Sequence, residues 1–525
     1  MEPQSNDAVI NTRAGRREWW GLAVLTLPML LVSMDLTVLH LAVPSLSADL
    51  TPSSSQLLWI VDIYGFMIAG FLITMGTLGD RVGRRRLLLI GAAAFGVASV
   101  LAAFSTSAEM LIAARALLGV AGATLAPSTL ALIRNMFHDP EQRTVAISIW
   151  FTSFLAGAAL GPLVGGALLE FFWWGSAFLI GVPVMVLLLA AGPILLPEYR
   201  DRHAGRLDLP SAALVLAAVL GVIYGLKEIA ADGLGLLPAL AIAAGLVAGA
   251  AFARRQRTLA DPLIDLRLFA ARTFSVSLGA LTLAAIVMGG VSYLVAQYLQ
   301  LVLGLSPLHA GLWMLLPLGV GILAMLLAPL VVRRVRPGFV MAAGLALAAL
   351  GFAVVSRADG ASGLAAVVIG LMIVFAGLMP VSALGVDVVL SAAPPERAGA
   401  ASAVSETTQE LGLALGIALL GSIGVAVYRG QMLDAVAAGV TPEAAAAARD
   451  TLGGATGVAE QLPPGLLVTA GNAFTDGLQL AAVVSAVALA GVAVVAAIVL
   501  RRVGAGTDIA ADSGPSTASE LVGER

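Results

Sequence analysis

The stretch Gly76-Thr-Leu-Gly-Asp80-Arg-Val-Gly83-Arg-Arg-Arg86 separates two long apolar segments, which lie near residues 58–78 and 87–105. Each segment has the roughly 20 apolar residues that a helix needs to cross a bilayer. The glycines permit a tight turn, and the arginines mark a boundary that stays in water. The stretch therefore predicts a short loop between two membrane-spanning helices.

The composition of the whole chain is that of a membrane protein. Of its 525 residues, 59% are hydrophobic and 12% are charged, whereas soluble domains carry about 25% charged residues. The chain has no cysteine, which excludes disulfides and thiolate chemistry. The sequence holds no phosphate-binding loop, zinc-ligand spacing or nucleophilic triad. We therefore expect no enzymatic activity, no metal, no cofactor and no nucleic-acid partner.

Fourteen apolar segments are long enough to span the bilayer. They lie near residues 19–43, 58–78, 87–105, 110–133, 143–168, 173–196, 210–229, 233–253, 273–300, 308–332, 339–356, 361–390, 401–428 and 476–500. The first segment is interpreted as an uncleaved helix with a basic flank, and not as a signal peptide, because it contains Asp35 and spans the bilayer.

Loops that are rich in basic residues alternate with loops that have almost none. If the N-terminus is cytoplasmic, nearly all of the 29 basic residues fall in cytoplasmic loops and tails. The outer loops hold only Arg357, Arg429 and Arg449, while Arg115 and Lys227 fall within spans. Because positive residues accumulate on the cytoplasmic side, we expect both termini in the cytoplasm of a bacterium and the spans in its inner membrane.

A weaker copy of the opening stretch follows span 10, at residues 328–338, where the arginines are kept and the aspartate is lost. Parallel repeats of six spans are typical of alternating-access transporters. Two repeats of six spans account for twelve of the fourteen, which leaves spans 7 and 8 as an inserted hairpin. We therefore expect four regions: an N-terminal six-helix bundle at 1–200, the inserted hairpin at 207–255, a C-terminal six-helix bundle at 270–502, and a disordered cytoplasmic tail at 503–525. The long outer loop at 429–475 is either an outer cap or a tolerated insertion.

Acidic residues inside the spans indicate a working site, because a charge at the bilayer centre costs roughly 2.5–3.5 kcal/mol on insertion scales. Asp35 lies in the first span and Arg115 at a similar depth in the fourth. Asp35 could exchange a proton for a cation while Arg115 controls its charge, or the two could form a fixed ion pair between helices. A carboxylate that binds a proton or a cation, but not both, is what an antiporter requires.

Three further acids are candidates for the same working site. Glu406 and Glu410 are four residues apart on span 13 and share one helix face; we expect Glu410 to be a second protonation site and Glu406 to lie at the cytoplasmic entrance. Asp62 lies near Trp59 and Tyr64, whose aromatic faces attract cations. This arrangement indicates that Asp62 either forms a cation vestibule with the two rings or is a solvated acid at the membrane interface.

The chain resembles the major facilitator superfamily, and within it the fourteen-span drug:proton antiporters of the QacA-like branch. The stretch at 76–86 resembles the first-loop signature, Arg115-Ala-Leu-Leu-Gly119 the fourth-span arginine motif, and residues 157–166 the fifth-span antiporter motif. The branch is indicated by Met34-Asp35-Leu-Thr-Val, Trp59-Ile-Val-Asp62-Ile-Tyr64, Pro394-Pro395-Glu396-Arg397 and Ser405-Glu406. Span 10 lacks the additional acid that some members carry, and Ser405 stands where others have a glutamate.

The resemblance implies an all-α membrane protein with two six-helix bundles and an inserted hairpin. It also implies proton-driven efflux of lipophilic cations and other drugs. The gate motif comprises Gly76, Asp80, Arg81, Gly83, Arg84 and Arg85, and is either an inter-helix lock or a basic cluster that sets topology. The antiporter motif comprises Gly157, Gly161, Pro162, Gly165 and Gly166, which are suited to close packing and a kink.

A candidate aromatic pocket comprises Tyr64, Trp150, Phe154, Tyr293 and Trp313, each of which is also a candidate for ordinary core. The function predicted is proton-coupled multidrug efflux by alternating access, by a protein that functions as a monomer in the lipid bilayer. Two alternatives remain open. One is a dedicated exporter of one endogenous metabolite, antibiotic or lipid, and the other is a membrane sensor or scaffold that transports nothing.

Overall fold

The computed structural model describes residues 13–200, 208–259, 262–359, 363–393, 398–436 and 440–502. Within this part of the chain, 14 helices are long and apolar enough to cross a membrane. The predicted all-α fold with fourteen spans is therefore confirmed. The predicted tail at 503–525 and the stretch 394–397 lie outside the described residues.

The first thirteen spans are numbered α1 to α13 along the chain. They are α1 (Arg16–Leu50), α2 (Ser54–Val82), α3 (Arg84–Ala103), α4 (Ala108–Met136), α5 (Pro140–Phe171), α6 (Ser176–Leu195), α7 (Leu209–Asp232), α8 (Leu236–Thr258), α9 (Arg272–Val302), α10 (Pro307–Val332), α11 (Pro337–Val355), α12 (Gly363–Ser391) and α13 (Ala401–Ala435). Two short helices follow, α14 (Pro442–Asp450) and α15 (Leu452–Gly457), and the last span is α16 (Leu466–Val499).

Several helices extend beyond the predicted apolar segments, so the predicted long loop at 429–475 is largely helical. Hydropathy marks only the part of a helix that lies in hydrocarbon, whereas the helix ends are set by capping groups. Thr51, in the left-handed region at φ 42°, ends α1. The side chains of Thr441 and Thr451 accept hydrogen bonds from the first turns of α14 and α15. The alanine-rich stretch in this loop thus forms a capped helix.

The helices pack as two sets with a hairpin between them. In the first set α1 packs against α5, and α4 against α2 and α3; in the second set α11 packs against α12 and α16, and α9 against α13. The two sets meet along α2 with α13 and along α5 with α10. Helices α7 and α8 pack against each other, and α7 also contacts α2 and α13. The hairpin therefore lies over one seam between the two sets.

Glycines on α5 allow it to approach helices of both sets. A Cβ on Gly157 would collide with the backbone of Leu30 in α1, and one on Gly161 would collide with the side chain of Thr37. On another side of α5, the carbonyl of Pro162 lies directly against Gly311 of α10. Small residues at helix interfaces gain van der Waals contact in membranes. The antiporter motif is thus the surface along which α5 contacts α1 and α10.

We predict that Gly161→Val destabilises the protein, because its side chain must displace Thr37 and separate α1 from α5. Overpacking of this kind costs roughly 1–3 kcal/mol. The midpoint of thermal unfolding and the monodisperse fraction in size-exclusion chromatography measure the effect. Gly319→Val on α10 is the matched control, because a Cβ there meets nothing within 4 Å. Equal unfolding midpoints for the two variants would contradict the assigned packing.

Candidate functional site

Arg115 joins three helices in the membrane interior. From α4, its Nη1 pairs with Oδ2 of Asp35 in α1. Its Nε donates to the carbonyl of Ile60 (3.2 Å) and its Nη2 to that of Val61 (3.4 Å), both in α2. The Arg115 side chain is 1% exposed and that of Asp35 is 14% exposed. The arginine is therefore sealed among protein groups, while its carboxylate partner is partly accessible to solvent.

Two aromatic rings cover the Arg115 guanidinium. Its Cζ lies 4.5 Å from the ring centroid of Tyr64 and 5.8 Å from that of Phe178. Cation–π contacts of this kind stabilise a cation by roughly 0.5–2 kcal/mol. The Tyr64 hydroxyl is buried and has no hydrogen-bond partner among the described residues. The hydroxyl is thus a buried polar group beside the ion pair, and it can form a hydrogen bond with a proton carrier, a water molecule or a ligand.

Asp62 forms a second ion pair, with Lys227 of the hairpin helix α7. The Lys227 Nζ lies 2.8 Å from Oδ1 and 2.6 Å from Oδ2, and both side chains are 0% exposed. The same Nζ lies 3.7 Å from the ring centroid of Trp59. Asp62 is thus not a solvated interfacial acid. The vestibule predicted at Trp59 and Asp62 is occupied by an ammonium group of the protein itself, because a buried carboxylate requires a partner.

Glu410 lies where the two sets of helices meet. Its carbonyl oxygen is 4.0 Å from the position that a Cβ on Gly65 of α2 would take. Its Oε2 is buried and has no hydrogen-bond partner in the described part of the chain. Glu406, one turn away on α13, is exposed. The two acids therefore differ in environment: Glu410 is half-buried with Oε2 enclosed, whereas Glu406 is exposed.

An apolar cavity of about 50 Å³ lies between α2, α7, α8 and α13. Its lining includes Phe66, Leu216, Phe252 and Leu411, and its polar groups are Thr74 and Thr407, whose buried Oγ1 atoms have no hydrogen-bond partner among the described residues. Drug-sized ligands occupy sites of about 300–1,000 Å³. This cavity must therefore expand before it can hold such a molecule.

The predicted gate residues bind one another and the neighbouring helices of the first set. Asp80 pairs with Arg84 (2.7 Å), whose Nη1 donates to the carbonyl of Pro127 in α4 (3.3 Å). Arg85 pairs with Glu198 just after α6 (3.6 Å). Gly83, at φ 119°, makes the break between α2 and α3. Among the described residues, these charges make no hydrogen bond or ion pair with the second set of helices. Gly76 and Arg81 lie in α2, and Arg81 is exposed.

The five residues of the candidate aromatic pocket lie in different environments. Tyr64 covers Arg115, and Trp150 donates from Nε1 to Thr129 Oγ1 (3.0 Å) inside the first set. Phe154 is half-buried, and Trp313 is 37% exposed. Tyr293 packs edge-to-face on His40, with the ring centroids 6.2 Å apart. Of the five, only Tyr64 contacts the ion pairs described above.

Sequence reasoning missed the role of Lys227 as the partner of Asp62. The signal was present, because Lys227 is the only lysine of the chain and lies within an apolar span. Its partner could not be deduced, because the two residues are 165 positions apart. Phe178 was also missed, because nothing in the sequence distinguishes it from other core aromatic residues.

Known proteins resemble this chain over most of its length. The "Multidrug efflux pump LfrA" of Mycolicibacterium smegmatis is 45% identical over 495 residues, which cover 94% of this chain and 98% of that protein. The "Methyl viologen resistance protein SmvA" of Salmonella typhimurium is 37% identical over 474 residues, which cover 88% of this chain and 92% of that protein.

A solved structure has the same fold. It is a bacterial homolog of the human lysosomal transporter Spinster in an inward-facing, unoccupied conformation, with a TM-score of 0.67 and 18% identity over 93% of this chain and 98% of that one. The sequence model of the Major Facilitator Superfamily matches residues 25–417. The chain is therefore a multi-pass membrane protein and a transporter, not an enzyme, and it belongs to the Major Facilitator Superfamily.

Proposed function

We propose that this protein exports lipophilic cations, such as quaternary ammonium compounds and dyes, in exchange for protons. The observation that carries the proposal is Asp35, a partly accessible carboxylate paired with Arg115 among apolar helices. Anions in such surroundings are costly unless they bind a counter-charge. Both a proton and an organic cation supply that charge, so the two compete for the same group.

The proposed coupling uses Asp35 of α1 and Glu410 of α13, and both of these helices contact α2. Tyr64 on α2 covers the Arg115 guanidinium, and the next residue, Gly65, lies against α13 beside the backbone of Glu410. Protonation of Asp35 removes the charge that holds Arg115 to α1, which leaves α1 and α4 free to change their separation. Glu410 has no fixed partner among the described residues, and this suits a second protonation site that releases its proton when a cation binds.

Contacts between the two sets of helices support a conformation closed at the end that carries α14 and α15. There Gln300 of α9 donates to the carbonyl of Leu41 in α1 (3.1 Å), and Gly453 of α15 lies against Ser47. Arg429 of α13 reaches Ser54 at the start of α2 (3.4 Å). With the arginine-rich end in the cytoplasm, both termini are cytoplasmic and this conformation is closed to the exterior of a bacterial cell.

The proton gradient supplies enough free energy for concentrative export by a monomer. Moving one charge through 100 mV releases about 2.3 kcal/mol, and each pH unit adds about 1.4 kcal/mol. Exchange of one proton for one monovalent cation moves no net charge, so the pH difference alone drives it and supports a gradient of about tenfold per pH unit. With two protons per cation one net charge enters, and the two contributions together support a gradient of roughly a thousandfold.

We predict that Asp35→Asn lowers ethidium transport into everted vesicles to the level of vesicles that lack the protein, because Asn cannot exchange a proton for a cation. Ethidium fluorescence after a pH gradient is imposed measures the rate, and immunoblotting checks expression. Asp434→Asn, at an exposed position near the end of α13, is the matched control and should transport at the wild-type rate. Wild-type transport by Asp35→Asn would refute the assignment. Transport of one compound alone from a panel of cations would favour the dedicated exporter.

For Glu410→Gln we predict that about one proton fewer is released per bound cation, because the amide cannot bind a proton. A pH indicator in weakly buffered detergent solution measures the release from purified protein when ethidium is added. Glu443→Gln, exposed on α14, should release as many protons as the wild type. If Glu410→Gln does so too, Glu410 takes no part in coupling.

A further inference from the structure

The environment of the Lys227 ammonium has the composition of an organic-cation site. A carboxylate, Asp62, lies on one side at 2.6–2.8 Å, and the face of an indole, Trp59, lies on another at 3.7 Å from the ring centroid. Carboxylates and aromatic faces are the groups that bind alkylated ammonium ligands in proteins. We call Trp59 and Asp62 the α2 cage. Its present occupant belongs to the protein.

The occupant is carried by the inserted hairpin, α7 and α8. Helix α7 lies between α2 and α13, where Ile223 packs with Phe66 of α2 and Ala418 of α13. Next to Lys227, Glu228 accepts a hydrogen bond from Ser55 at the start of α2 (2.9 Å). Lys227 is thus inserted from the hairpin into the seam between the two sets of helices.

Neither ion of the pair can be left alone in this environment. Removing one partner of a buried ion pair is strongly destabilising, because the remaining charge is uncompensated. Lys227 can therefore leave the α2 cage only when another cation or a proton neutralises Asp62. A ligand cation that enters the cage competes directly with a tethered ammonium, which is present at high effective concentration.

We propose that the α2 cage is a subsite for lipophilic cations and that Lys227 is its tethered competitor, which determines which cations bind. This inference rests on the proposed function, because it assumes that the protein takes organic cations. Cations with bulky apolar substituents gain contact with Trp59 and with the apolar wall of α7, and so displace Lys227. Small hydrated ammonium ions gain no such contact and are excluded.

The test measures binding of radiolabelled tetraphenylphosphonium to the purified full chain in lipid nanodiscs. Lys227→Met should lower the Kd by about tenfold, because the fraction of protein with an open cage rises when the competitor is removed. Lys227→Arg keeps the competing cation and should keep a Kd near that of the wild type. The double variant Lys227→Met with Asp62→Asn should lose the gain, because the carboxylate that attracts the ligand is gone.

Arg255→Met is the matched control, since it removes a cation from the same hairpin. Arg255 pairs with Asp208 (2.8 Å) at the other end of α7 and is 37% exposed. Its removal should leave the Kd unchanged. A lowered Kd in both Lys227→Met and Arg255→Met would mean that loosening the hairpin causes the gain, and it would overturn the role of Lys227 as competitor.

A second measurement uses the wild type alone and does not depend on the folding of a variant. Because Lys227 is the only lysine, its labelling by an amine-reactive ester is read from a single peptide, separate from the N-terminus. Saturating tetraphenylphosphonium should raise the labelling rate by about tenfold or more, since the ligand displaces the amine from the cage. An unchanged rate, in protein that binds the ligand, would overturn the inference.

The outcomes separate this inference from the export proposal. If the wild type binds tetraphenylphosphonium and Lys227→Met binds it equally or less tightly, the competitor role fails while cation export stands. If neither protein binds the ligand, both proposals fail. Binding by Lys227→Met that is absent from the wild type would support the competitor role in its strongest form.

Discussion

A guanidinium buried among three membrane helices is the constraint on which the architecture of this site depends. Arg115 cannot be deprotonated in a protein, so its charge must be met by neighbouring groups. Asp35 supplies the negative charge, the carbonyls of Ile60 and Val61 accept further hydrogen bonds, and Tyr64 covers the guanidinium. Any change in the charge of Asp35 must therefore alter how α1, α2 and α4 are held together.

Helix α2 carries or contacts each of the charged groups described above. It carries Asp62 and Tyr64, its carbonyls bind Arg115, and its Gly65 permits the close approach of α13 beside Glu410. The first ion pair joins helices of one set, the second joins α2 to the hairpin, and Glu410 belongs to the other set. A change of charge at one of these acids thus acts on a helix that contacts both the hairpin and a helix of the second set.

Much of the fold could be predicted from the sequence, because the hydrophobic length of a span and the positions of arginines follow directly from the properties of the bilayer. Membrane depth likewise indicated that Asp35 and Arg115 could meet, and they form an ion pair. The sequence could not identify Asp62 and Lys227 as partners, since that contact depends on how α7 packs against α2. The loop between the last two spans is shorter than the apolar windows indicated, because α13 continues to Ala435 and α16 begins at Leu466. The aromatic residues chosen for a pocket proved to lie in separate environments, since ring type alone does not specify tertiary position.

The central claim is that protons and lipophilic cations compete for carboxylates inside the membrane domain. The most direct measurement is the Kd of the wild-type protein for ethidium over a series of pH values, at constant ionic strength and in the absence of a membrane gradient. Competition with one proton predicts that the Kd rises by about tenfold for each unit of decreasing pH over the range in which the carboxylates become protonated. A Kd that is the same at every pH at which the protein stays folded would contradict the account.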